Sequence, residues 1–140
     1  MRNFIRRELV LIALALVAGS QVSAAFNGPL ESAGYAWLEL LDQGRFDDAF
    51  REGDELLRSG VTQSEWTEAT RSVRDGFGAV SSRDVISKDY HRQIDGGPAG
   101  NYFTLRIRTR MADGREMVEI VTLMAGPDQK YRPVAYGTKR

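Results

Sequence analysis

The feature that most constrains this chain is a pair of alternating segments joined by a turn signal. "NYFTLRIRTRM" (Asn101 to Met111) alternates apolar residues with Arg106, Arg108 and Arg110, and "EMVEIVTLM" (Glu116 to Met124) returns after "ADGR". A period of two places successive side chains on opposite faces, so both segments read as half-buried strands. Asp113-Gly114 is a strong short hairpin signal. A two-residue loop at that dipeptide pairs Ala112 with Arg115, Ile107 with Ile120 and Arg108 with Glu119. On that register Phe103, Leu105, Ile107, Val118, Ile120 and Met124 form a core face. Arg106, Arg108 and Arg110 then share the other face with Met117, Glu119, Val121 and Leu123, and that mixed face suits a protein interface.

The start of the chain bears on compartment. Arg2, Arg6 and Arg7 precede an apolar run from Leu9 to Ala18, and a small, polar stretch ends at Val22-Ser23-Ala24. That is the pattern of a secretory signal peptide over residues 1–24, cut after Ala24. The apolar run is about half of the roughly 20 residues that span a bilayer, so no integral membrane segment is expected after processing. The expected location is periplasmic or secreted. There is no cysteine, so disulfides and a thioether-linked lipid are excluded. An exported domain without disulfides depends on its packed core.

The leader takes three arginines and one glutamate with it. Of 19 basic and 19 acidic side chains, 16 and 18 then remain, a net charge of −2. Nucleic acid is not an expected partner, because polyanion binding draws on a basic excess. Residues 25–140 suit a single domain burying roughly two-thirds of its unfolded surface.

Ahead of the hairpin the pattern is helical. "GPLESAGYAWLELLDQG" (Gly28 to Gly44) has proline near its start and glycine past its end, with Trp37, Leu40 and Leu41 at helical spacing. "RFDDAFREGDELLRSG" (Arg45 to Gly60) reads as a second helix with Phe46, Ala49, Phe50, Gly53 and Leu57 on one face. In "VTQSEWTEATRSVRDGF" (Val61 to Phe77), Thr62 and Glu65 have the spacing of a capping box, and Val61 and Trp66 that of a hydrophobic staple. Trp66, Ala69, Val73 and Phe77 are its expected buried stripe. "RDVISKDYHRQI" (Arg83 to Ile94) reads as a strand with Ile86, Tyr90 and Ile94 on one side. "YRPVAYG" (Tyr131 to Gly137) reads as a last strand, with Pro133 marking an edge or a bulge. The expected fold class is α+β: three N-terminal helices packed on a curved antiparallel sheet of about four strands.

That order is similar to the cone-shaped folds related to nuclear transport factor 2. The chain also resembles a family of small exported bacterial domains, domain of unknown function 4019. The resemblance rests on "AWLELLDQGRFDDAF", "VTQSEW", "RDGFGAVSSR", "GPAGNYFTLRIRTRM", "MVEIVTL" and "KYRPVAYG". It implies an exported α+β domain and no particular reaction.

Chemistry-bearing constellations are few. His91, the single histidine, sits at i, i+2 from Asp89, the geometry of a surface pair and too few ligands for zinc. Neither glycine-rich stretch, "GFGAVSSR" or "GGPAGN", has phosphate-loop spacing, and no serine lies in a nucleophile elbow. Asp42 reads as a helix-end residue, and Trp37, Phe50, Trp66, Phe77 and Phe103 as core. No catalytic residue, metal site or cofactor is assigned. Arg106, Arg108 and Arg110 are the candidate binding residues. The expected function is a non-enzymatic binding or interaction module of the bacterial envelope, with a protein partner or a second copy on the exposed sheet face. The alternative is a small-ligand carrier or enzyme using a cavity between helices and sheet.

Overall fold

The computed structural model describes residues 28–140. The expected leader, residues 1–24, lies outside the described residues. Among the described residues four helices come first: α1 (Pro29–Asp42), α2 (Phe46–Glu52), α3 (Glu55–Gly60) and α4 (Gln63–Val73). Four strands follow: β1 (Val80–His91), β2 (Tyr102–Met111), β3 (Glu116–Ala125) and β4 (Tyr131–Lys139). They form one antiparallel sheet in the order β1-β2-β3-β4, so each strand pairs with its neighbour in sequence. The class is α+β, with helices on one face of the sheet. Among the described residues no helix is long and apolar enough to cross a membrane.

The expected second helix is two helices, because Gly53 and Asp54 interrupt it. Gly53 takes an extended conformation, and a Cβ there would come within 2.6 Å of the Leu57 side chain and 3.4 Å of the Pro133 carbonyl oxygen. The chain therefore passes tightly against β4. The Asp54 amide donates to that same Pro133 oxygen at 2.8 Å, and the Asp54 carboxylate caps α3 by accepting from the Leu56 amide at 2.9 Å. Glycine supplies the close approach and aspartate restarts the helix.

α4 carries the expected capping box: Thr62 accepts from the Glu65 amide while Glu65 accepts from the Thr62 amide. Its buried side differs from the expected stripe. Trp66 and Thr70 point inward, whereas Ala69 and Val73 are exposed. One more step of four along that inner row lands on Arg74. Trp66 and Phe50 pack with ring centres 5.6 Å apart, and Trp37 lies between Trp66 and Tyr136 at 6.0 and 5.7 Å. The Trp37 indole N–H donates to the Ala49 carbonyl at 2.8 Å, so this buried donor is satisfied. Leu38, Leu41, Leu105, Ile107, Val121 and Leu123 complete the core between helices and sheet.

The hairpin has a register one residue away from the expected one. Its loop is Ala112-Asp113-Gly114: the Met111 amide donates to the Arg115 carbonyl at 2.8 Å, and the Gly114 amide to the Met111 carbonyl at 3.0 Å. Gly114 has φ +89° while Asp113 stays at negative φ, so the turn is the three-residue kind and not the two-residue type I′ turn, which needs both positive. Ile107 therefore faces Glu119, Leu105 faces Val121 and Arg108 faces Val118. A slip of one residue turns every β3 side chain over. Val121, Leu123 and Glu119 point to the core, while Val118, Ile120 and Met124 lie on the arginine face.

β1 also departs from the expected alternation. It skips a residue at Ser81 and again at Ile86, where Val85 faces Ile107 and Ser87 faces Arg106. Ile86 is consequently 45% exposed, and Val85 packs on the core in its place. Past the skip, Lys88 and Tyr90 take the helix side. β4 skips Val134, next to Pro133, and is the other edge of the sheet.

Candidate functional site

The outer face of the sheet holds the three arginines read from the sequence. Arg106, Arg108 and Arg110 are exposed there. Arg106 pairs with Asp89 at 3.1 Å, and Arg110 with Glu116 at 2.5 Å. Arg108 does not meet Glu119, because the register places that carboxylate on the opposite side of the sheet. Its strand neighbours are Asp84 and Val118, and among the described residues it makes no ion pair. Half of this face is charged, with Asp84 and Asp89 on β1 beside the arginines of β2. The other half is apolar or small at its centre, with Ile120 and Thr122 on β3 beside Gly137 and Ala135 on β4, and basic at its ends, where Lys139 faces Val118 and Arg132 faces Met124. At one end the loop after β1 folds over the face: the Tyr102 hydroxyl donates to the Pro98 carbonyl at 2.6 Å, leaving Tyr102 buried. Asp89 and His91 do not converge further, since the Asp89 carboxylate goes to Arg106.

The inner side of the same sheet carries a second charged constellation. Glu119 is fully buried and accepts four hydrogen bonds. Thr109 Oγ1 and Arg83 Nε donate to its Oε1 at 2.6 and 2.8 Å. The Tyr136 hydroxyl and Arg74 Nη1 donate to its Oε2 at 2.7 and 3.3 Å. Both arginines continue to Asp42, the last residue of α1. Arg83 reaches it with Nη1 and Nη2 at 2.5 and 2.8 Å, and Arg74 with Nη2 at 2.5 Å. Asp42, Arg74, Glu119 and Arg83 thus close a ring of alternating charge. Arg74 also stacks over half-buried Phe77, its guanidinium carbon 4.4 Å from the ring centre.

Every strand and two helices contribute to this cluster: Arg83 from β1, Thr109 from β2, Glu119 from β3, Tyr136 from β4, Asp42 from α1 and Arg74 from the end of α4. Burial pushes the Asp42 carboxyl up, but the hydrogen bonds and charges of Arg83 and Arg74 outweigh it and hold the group below its ordinary value. Burial tends to lower Arg83, yet Asp42 and Glu119 raise it on balance, so it stays charged. Burial first, and the charge of Glu119 next, push the Tyr136 hydroxyl up, so it keeps its proton and acts as a donor. A fully buried carboxylate with four donors is the form in which such a charge is tolerated.

Sequence reasoning favoured Asp42 as a helix-end residue over a cavity acid and placed Glu119 on the outer sheet face. The legible signal was the row Trp66, Thr70, Arg74, which carries an arginine into a buried stripe. A cleft of about 370 Å³ between α1 and β1 opens beside Asp42 and Arg83. A wider groove of about 980 Å³ runs along the exposed side of α4 past Glu68, Arg71 and Asp75. Among the described residues, no three of His, Asp and Glu converge as metal ligands.

The family described as "Protein of unknown function (DUF4019)" matches residues 33–136. The chain belongs to that family. The matched DUF4019 span contains all six residues of the buried cluster and ends on Tyr136 itself. It also holds the whole arginine row of β2. No curated protein and no solved structure matches this DUF4019 chain.

Proposed function

We propose that this DUF4019 protein is an exported binding or interaction module of the bacterial envelope, acting without chemistry of its own through the outer face of its sheet. The observation that carries this reading is the composition of that face. Among the described residues Arg108 stands without an ion pair beside half-buried Val118 and Ile120, and no described element covers them. Arginine among apolar residues is typical of the centre of a protein contact. The acidic row of β1 beside the basic row of β2 is complementary to itself when turned over, so a second copy is the first partner to test. Export rests on the basic start, apolar run and Val22-Ser23-Ala24 ending of the sequence.

The test is light scattering of the mature chain over a concentration series, alongside Arg108→Glu and Ile120→Glu. Self-association that either variant weakens supports the reading. A monomer at every concentration, unchanged by both, removes the homodimer. A fusion of residues 1–27 to a reporter active only outside the cytoplasm tests export separately, and a silent reporter would sink that half.

A further inference from the structure

Asp42 differs from the rest of the ring in its exposure and in its placement. Its side chain is 25% exposed, against 7% for Arg74 and 10% for Arg83. It also stands where an acid is electrostatically disfavoured, at the C-terminal end of α1, whose free carbonyls carry negative partial charge. No basic residue lies in that last turn of the helix. The carboxylate is held there by the two guanidiniums, and Arg83 grips it with two parallel N–H groups, a fork matched to carboxylate geometry. Glu119 does not depend on Asp42, since its four donors come from Thr109, Tyr136 and the two arginines. With Asp42 turned out, two guanidiniums would surround one carboxylate, leaving one positive charge to be met.

The cleft between α1 and β1 leads to this point. Tyr35, Glu39 and Asp42 form its helix side, and Ser81, Ser82 and Arg83 its strand side. We propose that Arg74 and Arg83 form a carboxylate-binding site entered through this cleft, with Asp42 as the resident occupant that a small monocarboxylate displaces. Glu39, one turn before Asp42, supplies the selectivity. Its negative charge on the cleft wall disfavours dianions such as phosphate or a dicarboxylate, which would bring a second charge against it. The site is separate from the outer sheet face, so its fate does not depend on the interface reading.

The experiment is an NMR titration of the mature chain with acetate, following the Nε–H signals of Arg83 and Arg74 and the backbone amides of residues 41–44. Sodium chloride at matched ionic strength is the control. Saturable movement of the Arg83 signal with acetate, and weaker movement with phosphate and succinate, is the expected result. Removing the resident anion by Asp42→Asn should tighten acetate binding by at least about tenfold, because prior occupancy multiplies the apparent affinity by the fraction of sites that is free. Arg83→Lys keeps the charge but loses the fork and should abolish the response. The site is refuted if the Arg83 signal is still in both the native chain and Asp42→Asn, or moves equally with chloride. An equal response to phosphate refutes the ligand class. If Asp42→Asn does not fold, Asp42→Ser takes its place, and if neither variant folds the titration of the native chain decides alone.

Discussion

Arg83 and Arg108 are both strand residues of one sheet, and they face opposite environments. Arg83 is 10% exposed and pairs with two carboxylates that it receives from α1 and β3. Arg108 lies on the outer side with no ion pair among the described residues and apolar neighbours on β3. The contrast shows how little a residue type says until its partners are known. Buried, a guanidinium must be met on every side, and it then fixes which elements lie next to each other. Exposed, it is screened by water and remains available to whatever arrives.

The largest test of that contrast is Glu119→Ala, which leaves two nearly buried guanidiniums around a missing charge. It should cost about 3–5 kcal/mol in urea unfolding. A loss below the level of an ordinary surface change would mean that water replaces Glu119 freely. Next comes a double-mutant cycle on Arg83→Met and Glu119→Leu, where a coupling of roughly 0.5–3 kcal/mol is expected for two members of one network. The matching cycle on Arg106→Ala and Asp89→Ala, across the outer face, should give no more than about 1 kcal/mol and shrink with added salt.

The two sides should also answer differently to pH. The Asp42 carboxyl titrates lower in the folded chain than in the unfolded one. Its stabilisation is therefore fully present above the unfolded value and is lost as pH falls through the folded value. The stability gap between the native chain and Asp42→Asn should be full near neutrality and close as pH drops below about 4. A gap independent of pH would deny Asp42 its charge in the ring. The smallest effect on stability belongs to Arg108→Ala, within about 0.5 kcal/mol, although the same change should weaken any association through the outer face.

What the sequence made legible was local. The capping box at Thr62 and Glu65, the alternation of β2 and the turn at Asp113-Gly114 each lie within a few residues, and each is in the structure. What it hid depended on counting. One added loop residue decided whether Glu119 or Ile120 entered the core, and a skipped residue at Ile86 exchanged it with Val85. Gly53 broke a helix because β4 passes beside it, which no helical periodicity records. The buried ring was the least legible part. Its members bond across 32 to 45 residues of chain, so no window of sequence contains a pair. The aromatic core fared better, since Trp37, Phe50 and Trp66 announce themselves by size and spacing alone.

The skipped residues of the edge strands have a consequence for life at high concentration. A four-stranded open sheet offers two free borders to which a stray strand could add, and repeated addition is how fibres grow. β1 breaks its regular rise twice within its 12 residues, at Ser81 and Ile86. β4 breaks at Val134, beside a proline that has no N–H to offer and whose carbonyl is already taken by Asp54. Neither border presents a long, even row of unpaired groups. The irregularities that spoil a simple reading of these strands also make them poor templates, which lets the sheet stay open without inviting polymerisation.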